Sequence, residues 1–164
     1  MVFDKITTKM PNDIEKQYNE LRKKYKLPEF KELDFELEMQ DMEKTAYLLR
    51  EIIRKIGEKL DFYSRVIEEI LQPDTSNIYA LHESRFFDEK EKKKMYDTYV
   101  KLMNLSRTLL EISLDQSEKS EAEFISRFLA EWKDLKAELL QYAKKAKDSW
   151  KPWADIKEDL GYMG

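Results

Sequence analysis

Apolar residues recur along this chain at alternating three- and four-residue steps, the spacing that places them on one stripe of an α-helix. The pattern is clearest between Asp41 and Leu71. There Met42, Ala46, Leu49, Ile53, Ile56, Leu60, Tyr63, Ile67 and Ile70 form an unbroken heptad seam, with charged residues between them. A helix of that length spans roughly 45 Å and needs partner helices along it, because local propensity alone does not hold it together. Gly57 interrupts it at a cost of about 1 kcal/mol relative to alanine, offset if another helix approaches closely at that point.

The same spacing predicts the other elements. An N-terminal helix starts after Pro11, with Asn12 and Glu15 as a capping box and Ile14, Tyr18, Leu21 and Tyr25 as its stripe. Pro28 ends it, and the stretch from Glu29 to Gln40 reads as a linker with one short turn. Pro73 and Asn77 mark a second break, after which Ile78 to Phe87 lacks a clean period and reads as a connector with one short helical turn. Asp88 and Glu91 cap the next helix, which runs to about Leu114 through Met95, Tyr99, Leu102, Leu109 and Ile112, its face widened by Leu105, Leu110 and Leu114. Ser120 and Glu123 cap another, with Ile125, Phe128, Trp132, Leu135, Leu139, Tyr142 and Ala146 as its seam. Pro152, Trp153, Ile156 and Leu160, ahead of Gly161, predict a short helical tail. The expected architecture is one all-α domain over residues 1–164: an antiparallel bundle of three long helices plus the N-terminal helix and the short C-terminal tail.

Composition sharpens this picture. The chain has 164 residues, enough for a substantial core, and only three glycines and four prolines, a profile that favours long helices over sheets joined by tight turns. Its 34 acidic and 30 basic residues leave a net charge of −4, so no global basic field attracts nucleic acid or anionic lipid. With no cysteine, disulfides, thiolate metal sites and cysteine nucleophiles are excluded. No signal peptide and no long apolar run are recognisable, which predicts a cytoplasmic protein without membrane association. Abundant Lys and Glu with few Asn and Gln match the bias of heat-adapted proteins.

Candidate chemistry is sparse. The only histidine is His82, in a segment that also holds Glu83, Ser84 and Arg85. It could pair with Ser84 or Ser76 as a nucleophile, although a lone histidine is more often structural. It has tyrosine rather than glutamate three residues before it, so the Glu-x-x-His pair of carboxylate-bridged di-metal bundles is missing. A magnesium-dependent all-α nucleotide pyrophosphohydrolase needs paired acids on facing helices, and Glu29 with Glu32 and Glu58 with Asp61 have that form. Roughly seven acid pairs at this spacing arise by chance in so acidic a chain. Glu58 and Asp61 also lie about 200° and 140° around the helix from Ile56, on the face opposite the seam. The three glycines build no phosphate loop, and no cofactor is expected. Basic clusters at Arg22–Lys26, Lys90–Lys94 and Lys144–Lys147 read as solvated helical faces, with nucleic-acid contact arising only where two of them converge.

The second helix carries a further stripe of Glu43, Tyr47, Arg50, Arg54, Glu58 and Asp61 on its outer face, with Phe62 beside it. Arg54 and Glu58 read as a surface pair, whereas aromatic residues amid arginines suit a protein interface. Tyr47, Arg50, Arg54 and Phe62 are therefore candidate partner-binding residues, together with Trp150 and Trp153 of the tail. His82, Glu83 and Arg85 are further candidates in a connecting segment. Met42-Glu43-Lys44, Tyr47-Leu48-Leu49, Ile53-Arg54 and Lys59-Leu60-Asp61 resemble the central long helix of the GINS family, accessory subunits of the archaeal and eukaryotic replicative helicase. Phe87 to Glu91, continuing to Tyr99 and Leu110, resembles the acidic-capped helix that follows it. The likeness covers about residues 42–63 and 87–114. Where that family usually adds a small β-rich domain, this chain has the helix from Ser120 and a tryptophan-bearing tail. The resemblance implies a non-enzymatic assembly subunit. The residues themselves predict a helical interaction or scaffolding module that binds a protein partner or self-associates.

Overall fold

The computed structural model describes residues 13–151, and within them every regular element is helical. In chain order these are α1 (Asp13–Lys24), α2 (Phe30–Leu37), a 3-10 turn (Met39–Asp41), α3 (Leu48–Leu71), α4 (Ile78–Arg85), α5 (Glu89–Asp115) and α6 (Glu118–Asp148). Among the described residues no helix is long and apolar enough to cross a membrane. The expected caps at Asn12 and the tail from Pro152 onward lie outside the described residues.

Contacts divide the chain into two compact units, one of residues 1–56 and 111–129, the other of residues 57–110 and 130–164. In the first unit the stretch after Pro28 is more ordered than its reading as a linker. Glu29, extended at φ −63° and ψ 144°, precedes α2 and its carbonyl accepts from Leu33 N. Phe30, Leu33 and Leu37 then recur at helical spacing, and all three are buried. Glu38 closes the helix in the left-handed region at φ 52°, its amide donating to Asp34 O at 2.8 Å. That motif is commonly filled by glycine. The Lys55 ammonium donates to the Leu37 carbonyl, satisfying one orphan acceptor at the end of α2.

Tyr18 anchors this packing: it is fully buried, its hydroxyl donates to Pro28 O at 2.6 Å and its ring meets Phe30 at 5.6 Å. Burial pushes its phenol well above the ordinary value, so it stays a donor. The third helix begins at Leu48, not at Asp41. A 3-10 turn and an extended stretch occupy residues 39–45, and the Tyr47 amide donates to Thr45 Oγ1 at 3.2 Å. A threonine side chain that takes an amide just ahead of the first turn competes with helix extension toward the N-terminus. Met42 and Ala46, the first two members of the expected seam, therefore lie outside α3. Within α3, Leu49, Ile53, Ile56, Leu60, Ile67 and Ile70 are buried as expected, while Leu48 and Ile52 are buried beside them and widen the stripe.

In the second unit the segment from Ile78 is a full helix, α4, capped by Asn77, whose side chain accepts from the amides of Tyr79 and Ala80. Its weak amphipathicity hid it: Ile78 and Tyr79 are exposed, while Ala80 and Ser84 are the buried residues. The capping box at α5 forms as expected, Glu91 N donating to Asp88 Oδ1 at 2.8 Å and Asp88 N to Glu91 Oε1 at 3.2 Å. Leu105 is buried, but Leu110 and Leu114 are exposed and do not widen the apolar face. Helix α6 starts at Glu118, two residues before the expected cap Ser120. Gln116, left-handed at φ 56°, ends α5, and Ser117 Oγ accepts from Ser120 N at 3.4 Å. Along α5 and α6 the partners run in opposite order: Glu91 meets Lys145, Thr98 meets Glu138 and Tyr142, and Lys101 meets Glu138.

Candidate functional site

Two groups of side chains stand out, one in each unit. In the second unit Trp150 follows the end of α6 and stays 46% exposed. Its indole Nε1 donates to Glu83 Oε1 at 2.7 Å, its ring lies 4.2 Å from that of His82 and 5.9 Å from that of Tyr79. His82 Nε2 is 2.6 Å from the Ser149 carbonyl, which can only accept, so Nε2 carries the proton. One turn of α4 thus presents Tyr79, His82 and Glu83 to Ser149 and Trp150, just past α6. His82 and Glu83, singled out from the sequence in the connecting segment, and Trp150, singled out in the tail, come together here. Tyr79 completes the group, and its position three residues before His82 on a helix was the available signal.

Neither serine serves the histidine. Ser84 is buried and its hydroxyl donates to Ile70 O at 2.7 Å, while Ser76 donates to Asp74 Oδ1 at 2.7 Å and helps hold that carboxyl below its ordinary range. Arg85 is exposed at the end of α4. Trp153 lies outside the described residues. Phe62 is 61% exposed, with its ring edge-on to Tyr63 at 5.1 Å.

In the first unit, Tyr47 and Arg50 line a cleft of about 360 Å³ together with Gln17 and Glu20 of α1 and Glu118 and Glu121 of α6. The Arg50 guanidinium sits 4.9 Å from the centre of the Tyr47 ring. Glu118 is held by the Tyr25 hydroxyl at 2.7 Å and by Lys24 at 3.3 Å, and the Tyr25 bond above all lowers its carboxyl below the ordinary value. Glu121 differs. It is 6% exposed, and burial raises its carboxyl above the ordinary value, the charge of Arg50 opposing and that of Glu118 reinforcing the shift. Its side chain makes no hydrogen bond or ion pair with the described residues. Gln17 donates from Nε2 to the Thr45 carbonyl, and its Oε1 is buried without a partner. Glu121 had no signal in a chain with 34 acids. Its place four residues after Ser117, and one before the apolar Ala122, is visible only once the true start of α6 is known.

Arg54 pairs with Glu51 at 3.0 Å and lines a separate polar groove with Asp41, Glu43 and Lys55. Of the four acids considered for magnesium, Glu29 and Glu32 belong to the first unit, Glu58 and Asp61 to the second, and Asp61 pairs with Arg65 at 2.7 Å. Among the described residues no group of three or more His, Cys, Asp and Glu side chains is arranged to hold a metal ion. The lysine clusters of α5 and α6 meet in the second unit, where Lys145 contacts Glu91 and lies over the rings of Phe86 and Phe87 at 5.8 and 5.6 Å. Comparison with protein-family models, curated proteins and solved structures finds no match to this chain.

Proposed function

We propose that this protein is a non-enzymatic helical interaction module that displays fixed aromatic side chains to a protein partner or to a second copy of itself. The observation that carries this reading is Trp150, half-exposed yet held by Glu83, His82 and Tyr79. Large rigid rings give contact area at low entropic cost, because little rotamer freedom remains to be lost on binding. The framework of this reading is the antiparallel bundle of three long helices expected from the sequence. Its support in the second unit is the opposed order of α5 and α6 partners. The GINS resemblance points the same way, toward a subunit of a nucleic-acid-processing complex.

Recovery of a specific protein by the tagged chain from source lysate after nuclease treatment, lost on Trp150→Ala, is the expected result. A blank recovery, with a monomer by light scattering, overturns it. The meeting of two lysine clusters at Glu91 and Lys145 favours a second reading, direct nucleic-acid contact by the exposed lysines of α5 and α6. That reading predicts binding to single- or double-stranded probes that falls steeply with salt, and fails if no such binding is seen at low ionic strength.

A further inference from the structure

Helix α5 has a second apolar stripe besides the one it buries. Met95, Thr98, Leu102 and Leu105 are its buried residues. Tyr96, Val100, Met103, Arg107 and Leu110 recur at alternating four- and three-residue steps, and they centre roughly 140° around the helix from that buried set. Tyr96, Val100 and Leu110 each keep about half of their surface in water, Met103 is partly covered, and Arg107 is exposed. Isolated apolar residues are ordinary on a protein surface. A repeat held through roughly four turns is instead the kind of seam along which one helix packs on another. Leu110, which the buried face of α5 does not use, belongs to this second stripe.

We propose that this stripe, which lies wholly in the second unit, is the contact between two copies of the chain paired antiparallel along α5. Its charges choose the occupant. Around a twofold axis between Lys101 and Leu102, the seam sets Val100 against the partner's Met103, Tyr96 against the partner's Arg107, and the stem of the exposed Lys93 against the partner's Leu110. Each contact occurs twice. Arg107 then has an aromatic face to lie on, and the exposed Asp97, next to Tyr96 at the edge of the seam, comes beside it to pair with its guanidinium. A parallel pair would set every residue on its own copy, so that Lys93, Asp97 and Arg107 all met like charges. The stripe is thus complementary to itself only when reversed. From Lys93 to Leu110 the seam is about 25 Å long. One helix pair of that length lies below the roughly 1,200 Å² at which standard interfaces begin, so the dimer is weak and reversible, with a Kd in the micromolar range or above.

The test is analytical ultracentrifugation of the full chain from about 1 μM to about 1 mM, with circular dichroism to check that each variant folds. The expected result is a monomer–dimer equilibrium. Val100→Asp, at an exposed position in the middle of the seam, weakens it at least about tenfold. Asp97→Arg and Arg107→Asp each weaken it about fivefold by facing like charges, and the two together restore it to within about twofold. Asp97 and Arg107 are about 15 Å apart along one helix, so that rescue reports a contact between copies. Trp150→Ala leaves the equilibrium unchanged, because the stripe does not include that residue. A monomer at every concentration overturns the proposal and passes the stripe to a different protein. A dimer that ignores Val100→Asp, or shows no rescue, overturns it as well. So does a dimer lost on Trp150→Ala, which moves self-association to the aromatic cluster.

Discussion

The aromatic cluster around Trp150 and the cleft around Glu121 contain similar residue types and settle their polar atoms in opposite ways. At Trp150 the indole N–H has Glu83 and the imidazole N–H has the Ser149 carbonyl, so the cluster owes no desolvation cost and leaves its rings facing water. In the cleft, the Arg50 guanidinium lies on the Tyr47 ring, Gln17 Oε1 is buried without a partner among the described residues, and burial raises the Glu121 carboxyl. A satisfied cluster with exposed rings is complete without a ligand and offers area to a large partner. A buried polar group without a donor instead costs stability. The two regions therefore predict different consequences for removing their central residue.

Trp150→Ala has the largest expected effect. Loss of the anchor weakens partner binding by about 2 kcal/mol or more, roughly thirtyfold, as truncating an interface hot spot does. Stability falls by only about 1 kcal/mol, because the side chain is half in water and its hydrogen bond is exposed. Paired binding and melting measurements check this split. A large drop in melting temperature with unchanged partner affinity would make the cluster a clasp for the end of α6 and remove the contrast.

Glu121→Gln comes next, with the opposite sign in stability. Replacing this largely buried carboxylate by a neutral amide raises stability at neutral pH by about 1 kcal/mol. The pH dependence identifies the source. The folded carboxyl of Glu121 is raised above its ordinary value of 4.5, so the native state binds the proton more tightly than the unfolded chain. Stability is unpenalised below 4.5 and falls as pH rises from there through the raised folded value, reaching its full penalty above it. Glu118 acts the other way. Its lowered carboxyl contributes stability that is present above 4.5 and lost as pH falls through its folded value. Wild-type melting mixes the two, and subtracting the Glu121→Gln curve isolates the first. If the difference does not grow with pH, the side chain has a partner in solution.

Much of the fold and little of the cleft was legible in the sequence, for one physical reason. Seams are written by repetition, so Ile53, Ile56, Leu60 and Ile67 in α3 and Phe128, Trp132 and Leu135 in α6 declare themselves by spacing. Starts and stops are written once, by one side chain. Thr45 ends the upstream extension of α3, Ser117 rather than Ser120 caps α6, and Asn77 caps α4. Each competes in sequence with nearby residues of equal capping power. The short helices α2 and α4 read from sequence as connecting segments with one short turn each, because eight residues give one repeat of the pattern at most. At the sites, Tyr47, Arg50, His82, Glu83 and Trp150 could be picked out by type, as aromatic, basic or solitary residues among charges. That His82 and Glu83 meet Trp150 depends on contacts across more than sixty positions. Gln17 and Glu121 stand out through burial, which no sequence pattern encodes for a polar residue.

Gly57 supplies the smallest effect and a control for both regions. A glycine inside a helix is justified where a neighbour leaves no room for a Cβ, and the sequence raised that expectation. The space is there: a Cβ would meet the Leu109 methyls at 3.5 and 3.7 Å, ordinary contact distances, and no backbone. Its backbone has no left-handed conformation to protect either, since the positive-φ residues outside glycine are Glu38 and Gln116 and Gly57 lies in mid-helix. Gly57→Ala should therefore gain about 0.5 to 1 kcal/mol, mostly by reducing the freedom of the unfolded chain. Partner binding through Trp150 should stay unchanged. The stabilised variant thereby separates stability from recognition: if Gly57→Ala alters partner binding as Trp150→Ala does, that binding responds to the stability of the helices rather than to the exposed ring.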